Sequence, residues 1–225
     1  MHGLPARQTA SHAAAAPAVP SGGTAMSIVP SSPDARNGGI DRGERDERHL
    51  ARALALARQG YDEGGCPIGA VLFELDTGAV LGEGHNGLVQ EGNPILHGEM
   101  AALRSAGRMA NRHRTTMVTT LQPCFMCAGA IAMFGIPRVV VGDTANAGSD
   151  ETIRFLRARG VEVVVMDPAT SAAAAGCIAL GARARRERPE LWLEDWGGGP
   201  NPALLEAPPR VDSWDSVPMP RPRED

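Results

Sequence analysis

Apolar side chains recur at three- and four-residue intervals at Leu50, Ala53, Leu54 and Ala57, which is the spacing of one face of an amphipathic helix. Two alternating runs follow in IGAVLFELDTGAVLGEGHNG. They predict a β-hairpin turning at Asp76-Thr77-Gly78, where Gly supplies the positive φ. Beyond the hairpin the periods alternate between helix and strand. Helices are predicted over residues 97–108, 124–134 and 150–159, and strands over 116–121, 138–142 and 161–166. A last long helical stretch runs from about residue 169 to 186. A hairpin followed by β-α units implies a mixed sheet with helices on its faces, an α/β sandwich.

Composition divides the 225 residues into three parts. Residues 1–45 are rich in Ala, Pro, Ser and Gly and hold few large apolar side chains, too few to offset the cost of ordering. They predict a disordered tail, within which Met26 offers a second in-frame start. Residues 198–225, punctuated by Pro and Gly, predict a second loose tail. The folded unit is therefore 46–197, roughly 150 residues and the usual size of one domain. No run reaches the ~20 apolar residues needed to span a bilayer. The short run at Ala13 to Ala16 is ended by Pro17 and lacks the apolar centre of a secretory signal, so a cytoplasmic location is expected. Basic residues number 22, all of them Arg, against 26 acidic ones, for a formal charge of -4. That balance argues against a protein whose main partner is nucleic acid.

The chemistry concentrates in HGEM at His97 to Met100 and PCFMC at Pro123 to Cys127. Cys124 and Cys127 stand three apart in the first turn of a predicted helix, so both thiols point the same way. With His97 they make three protein ligands for Zn2+ and leave the fourth position open, the arrangement of a catalytic zinc site. The positive helix N-terminus favours the thiolates a metal needs. Glu99, two residues past His97, is placed to shuttle protons without ligating the metal. A lone C-x-x-C also fits a redox pair or half a structural zinc site, and a lone H-x-E also fits an ordinary helix start. Their joint occurrence, H-x-E with P-C-x-x-C, is the known signature of zinc deaminases. Zinc lowers the pKa of a bound water from about 16 to about 7, which supplies hydroxide to attack a carbon bearing an exocyclic amine.

The order GGCPIGAVLF, GEGHNG, LHGEMAAL, TTLQPCFMCAGAI, GIPRVVVGD and RPELWLEDWG resembles the fungal-type cytosine deaminases of the zinc-dependent cytidine/deoxycytidylate deaminase superfamily. The resemblance covers essentially all of residues 46–197. It implies a three-layer α/β/α sandwich with a mixed five-stranded sheet, a homodimer with one Zn2+ per subunit, and hydrolysis of free cytosine to uracil and ammonia in pyrimidine salvage. It also implies that Asn86 bonds the base edge, that the Gly98 N–H and the Gln122 carbonyl add contacts, that Asp195 accepts from the exocyclic amine, and that Trp192 walls the pocket. From the residues alone, Asn86 reads equally as a turn residue and Trp192 as a core anchor.

Three positions depart from that pattern. Ala147 stands where an aromatic residue covers the base, Leu193 replaces an aromatic neighbour of the terminal Trp, and Gln122 and Phe125 replace Ser and Asp around the first Cys. Loss of a ring at Ala147 forfeits stacking worth about 1–3 kcal/mol and opens volume. Guanine, isocytosine or a pterin is accordingly an alternative substrate. A tRNA adenosine deaminase shares the zinc site but reads H-A-E and needs a basic surface. A zinc-stabilised interaction protein without turnover has no reason to keep Glu99. The cluster Arg183, Arg185, Arg186 and Arg188 reads as a solvated helix end or, less economically, as a phosphate contact. Cys66 and Cys177 are expected as buried thiols, with Cys66 close enough to the pocket segment to touch substrate.

Overall fold

The computed structural model describes residues 41–196, all within one unit. The two predicted tails lie almost wholly outside the described residues. The exception is the start of helix α1, which spans Arg42–Asp62 and so begins four residues before 46. Asp41 caps it by accepting from the Gly43 N–H, and Arg45 reaches the Leu75 carbonyl at 2.6 Å. This first turn is polar, so it has no apolar period by which the sequence could reveal it.

After α1 come β1 (Gly69–Glu74) and β2 (Val80–His85), an antiparallel hairpin. Gly78 in its turn has φ 70°, the positive angle predicted there. Helix α2 (Gly98–Ala106) leads to β3 (Thr115–Leu121), α3 (Phe125–Met133) and β4 (Arg138–Asp143). Then follow α4 (Glu151–Ala158), β5 (Glu162–Val165), α5 (Ala172–Glu187) and the short α6 (Pro189–Trp196). The sheet order is β2-β1-β3-β4-β5. β1 runs antiparallel to β2 and β3, whereas β3, β4 and β5 are parallel.

Strand alternation splits the interior into two cores. Val71 and Phe73 of β1, Val118 of β3 and Val140 of β4 face a cluster built with α1, α5 and α6. Their neighbours Ala70, Leu72, Met117, Val139 and Val141 face a second cluster built with α2, α3 and α4. Every residue of β3 and β4 is buried, including the four threonines of β3 and the Arg138 and Asp143 that bound β4. The result is the expected three-layer sandwich. Arg138 fastens α1 to β4 through two bonds to Asp46, at 2.8 and 2.6 Å, with both side chains buried. Removing one member of such a pair costs about 3–5 kcal/mol.

Candidate active site

Helices α2 and α3 begin with matched backbones. Their N-cap residues, His97 and Cys124, have φ/ψ of -68°/167° and -68°/173°. An N-cap side chain ordinarily accepts from its own helix, yet neither of these does so. They turn towards each other instead, with Cys124 Sγ 3.4 Å from His97 Nδ1. Cys127 joins from the first turn of α3, and the three donor atoms lie within 4.8 Å of one another. The approach of α2 depends on Gly98, where a Cβ would stand 2.9 Å from the Ile68 carbonyl oxygen.

One imidazole and two thiols are donors suited to zinc, and their spread matches an ion with bonds of about 2.0–2.3 Å. The protons support the fit. The bond from Cys127, with help from His97 and against the cost of burial, brings the Cys124 thiol down to about 4. Burial by itself would lower His97, but the Cys124 thiolate and the Asp195 carboxylate outweigh it and raise the imidazole to about 9. The Cys127 thiol is pushed up by its bond to Cys124 and by burial. One thiolate is thus preformed, and metal uptake displaces the remaining protons.

Glu99 is buried beside this cluster. Burial, reinforced by the negative charge on Cys124, pushes its carboxyl up to about 7, so it can both accept and return a proton near neutrality. Its Oε1 lies 3.1 Å from the Thr119 hydroxyl, which is also 3.0 Å from the Leu121 carbonyl. A hydroxyl has one proton to donate and lone pairs to accept with. Thr119 can therefore donate to ionised Glu99, or accept from the protonated acid while donating to Leu121. Sequence reasoning missed Thr119. The available signal was a polar residue two positions after Met117, on the strand face that looks towards α2 and α3.

Of the base-binding residues expected from the sequence, Asn86 and Asp195 come together next to His97 Nε2. Asn86, buried just past β2, donates through Nδ2 to Asp195 Oδ1 and accepts through Oδ1 from the Leu88 N–H at 2.9 Å. One Nδ2 hydrogen remains for a ligand. Asp195 Oδ1 lies 3.7 Å from His97 Nε2. Its Oδ2 is buried with no hydrogen-bond partner among the described residues; the neighbouring Cys66 thiol, 3.5 Å from the Leu191 carbonyl, lies close enough to interact with the same carboxylate. Burial raises the Asp195 carboxyl. Trp192 is buried in the core cluster that also holds Cys66 and Ala184, so it anchors α6 in addition to any part it plays in the pocket wall.

Gln122 points its side chain away from this centre. Its Nε2 donates to the Ser149 carbonyl at 2.7 Å and to Thr152 Oγ1 at 2.8 Å, leaving its main chain for the expected contact. Those bonds tether one end of the loop that carries Ala147. Asp143 tethers the other, accepting from the Asn146 N–H at 3.0 Å and side chain at 2.7 Å. Ala147 itself is buried. The arginine cluster takes internal partners: Arg183 pairs with Glu187, and Arg188 donates to the carbonyls of Tyr61 and Gly65. Burial pushes the Cys66 and Cys177 thiols upward, as expected for inert buried cysteines.

Comparison with known proteins agrees with this geometry. Residues 43–143 match the model of the cytidine and deoxycytidylate deaminase zinc-binding region. The cytosine deaminase of Candida albicans is 42% identical over 154 residues, covering 68% of this chain and 97% of that protein. A tRNA-specific adenosine deaminase of Haemophilus influenzae is 39% identical over 104 residues, 45% of this chain and 60% of its own. Among solved structures, a guanine deaminase from Nitrosomonas europaea superposes with a TM-score of 0.51 at 26% identity, covering 62% of this chain and 84% of that one. The chain belongs to the cytidine and deoxycytidylate deaminase family of zinc-binding hydrolytic enzymes. Within that family it is similar to a cytosine deaminase along nearly that enzyme's whole length.

Proposed function

We propose that this enzyme hydrolyses the exocyclic C–N bond of a free pyrimidine base, cytosine or a 5-substituted cytosine, to give the uracil and ammonia. The observation that carries this reading is the Asp195 carboxylate: its Oδ1 is held by Asn86 and lies 3.7 Å from His97 Nε2, and its buried Oδ2 has no hydrogen-bond partner among the described residues. An acceptor in that position fits an exocyclic amine next to the reacting carbon, and the free N–H of Asn86 fits a ring carbonyl or nitrogen. Likeness to the Candida albicans enzyme supports the same choice.

His97, Cys124 and Cys127 would hold the zinc, which when bound supplies Lewis acidity and makes water acidic enough to ionise near pH 7. Glu99 takes the proton of the attacking water and delivers it to the adjacent ring nitrogen. It then carries the second proton to the departing amine, so one water is consumed and one ammonia released. Thr119 keeps the Glu99 carboxyl in place through both protonation states. The Gly98 N–H, at the positive start of α2, and the main chain of Gln122 complete the hold on the base.

Guanine is the second reading, favoured by the Nitrosomonas europaea guanine deaminase fold and by the small side chain at Ala147. A tRNA substrate is disfavoured because Arg183 and Arg188, the core of the basic cluster, are taken up by internal contacts. A homodimer fits α3, where Phe125 and Met133 are 60% and 74% exposed and Gly129 between them opens onto free space. A reducing, cytoplasmic location fits four cysteines without a disulfide. The test is ammonia release by the zinc-loaded protein from cytosine, 5-methylcytosine, cytidine, guanine, isocytosine and a pterin, with Glu99→Gln as blank. Turnover confined to the free cytosines supports the proposal; turnover of guanine alone replaces it.

A further inference from the structure

The arginine at the junction of α5 and α6 has a geometry that neither the zinc site nor surface solvation explains. Arg188 ends α5, its N–H bonding the Ala184 carbonyl at 2.7 Å, and its own carbonyl accepts from the Trp192 N–H at 3.0 Å, opening α6. Its side chain turns back 127 residues to the end of α1. There Nη1 donates to the Tyr61 carbonyl at 2.7 Å and to the Gly65 carbonyl at 3.1 Å, and the guanidinium carbon lies 3.9 Å over the Tyr61 ring. Both hydrogens of Nη1 are therefore used, one on the Tyr61 carbonyl, which also accepts from the Gly64 N–H at 3.0 Å, and one on the Gly65 carbonyl three residues past the end of α1. Tyr61 is in turn buried, bonded through its hydroxyl to Glu187 and overlain by Arg183 at 5.0 Å.

This junction sets the start of a helix only eight residues long, too short to persist without packing. Seven residues further on, about 10 Å along the axis at 1.5 Å per residue, α6 delivers Asp195 to Asn86. The helix is pinned at its first residues by Arg188 and near its last by the Asn86–Asp195 bond. The Cys66 contact to Leu191 falls between. Because Gly65 precedes Cys66, Pro67 and Ile68, the same guanidinium also fixes the segment whose Ile68 carbonyl receives the Asn86 N–H at 2.8 Å. Arg188 thus holds both partners of the Asn86–Asp195 pair, one through each bonded element.

We infer that Arg188 is a positioning residue for substrate recognition: it clasps α6 to the end of α1 so that the free oxygen of Asp195 faces the base. The inference rests on the reading of Asp195 as the acceptor for the exocyclic amine. Lys cannot replace it fully, because a single ammonium cannot stack on Tyr61 with a planar face while serving both carbonyls.

The test is a double-mutant cycle in the zinc-loaded enzyme, measured on whichever base in the panel the wild type turns over. Arg188→Gln should raise KM about tenfold with a smaller change in kcat and unaltered zinc content, and Arg188→Lys should raise it about threefold. In an Asp195→Asn background, Arg188→Gln should cost less than twofold in kcat/KM, since contacts that act through one group are not additive. An unchanged KM in Arg188→Gln, or a full multiplicative loss in the Asp195→Asn background, overturns the clasp. If Arg188→Gln does not fold, Arg188→Lys carries the same cycle, and full wild-type KM there overturns it too. Failure of the Asp195 reading shows separately, as an Asp195→Asn enzyme whose KM matches the wild type.

Discussion

The metal end and the base end of this site are built in opposite ways. At the metal end, the three candidate ligands and Glu99, the proposed proton carrier, come from two segments of a few residues each, His97 to Glu99 and Cys124 to Cys127. The geometry is set by two helix starts with nearly identical backbones. At the base end, Asn86 meets Asp195 across 109 residues, and α6 is secured to α1 across 127. The first is a local device that survives wherever its two helices start together. The second is assembled from single contacts between remote parts of the chain, and each contact can be lost alone.

Substitutions should divide along that line. His97→Ala should have the largest effect: zinc content measured by mass spectrometry falls below one per chain and ammonia release is lost with it. Glu99→Gln should keep the zinc and lower kcat by about 10²–10⁴-fold; retention of wild-type turnover would remove Glu99 from the chemistry. Asp195→Asn, at the other end, should leave zinc untouched and lower kcat/KM by about 10–100-fold, as expected for loss of a charged hydrogen bond. If zinc content falls instead, the two ends are not separable. Thr119→Val should lower kcat about fivefold with KM unchanged, and Thr119→Ser should restore it, which steady-state kinetics on the three proteins would decide.

The same division governs what the chain discloses on reading. His97, Glu99, Cys124 and Cys127 are legible because spacing within one helical turn already dictates direction. The helix-strand order is legible because burial on two faces leaves a period. Thr119 was missed because a threonine in a buried strand looks like any β-former until the residue above it is known. Arg188 was read as part of a charged helix end because its partners, two backbone carbonyls and a ring, have no counterpart in the local sequence. The polar first turn of α1 was missed for the simpler reason that nothing apolar marks it. That the Gln122 side chain is spent on the Ser149–Thr152 loop cannot be read from composition either.

Strand alternation also has an evolutionary consequence. The helices that start at the candidate metal ligands pack on one core, and the helix that carries Asp195 packs on the other, the two sides meeting where Asp195 Oδ1 lies 3.7 Å from His97 Nε2. Mutations that repack the α5–α6 core away from Asp195 therefore need not disturb the packing of α2 and α3 beneath the candidate ligands. Such a partition lets selection explore specificity while catalysis is held constant, consistent with likeness to enzymes named for cytosine, guanine and tRNA adenosine.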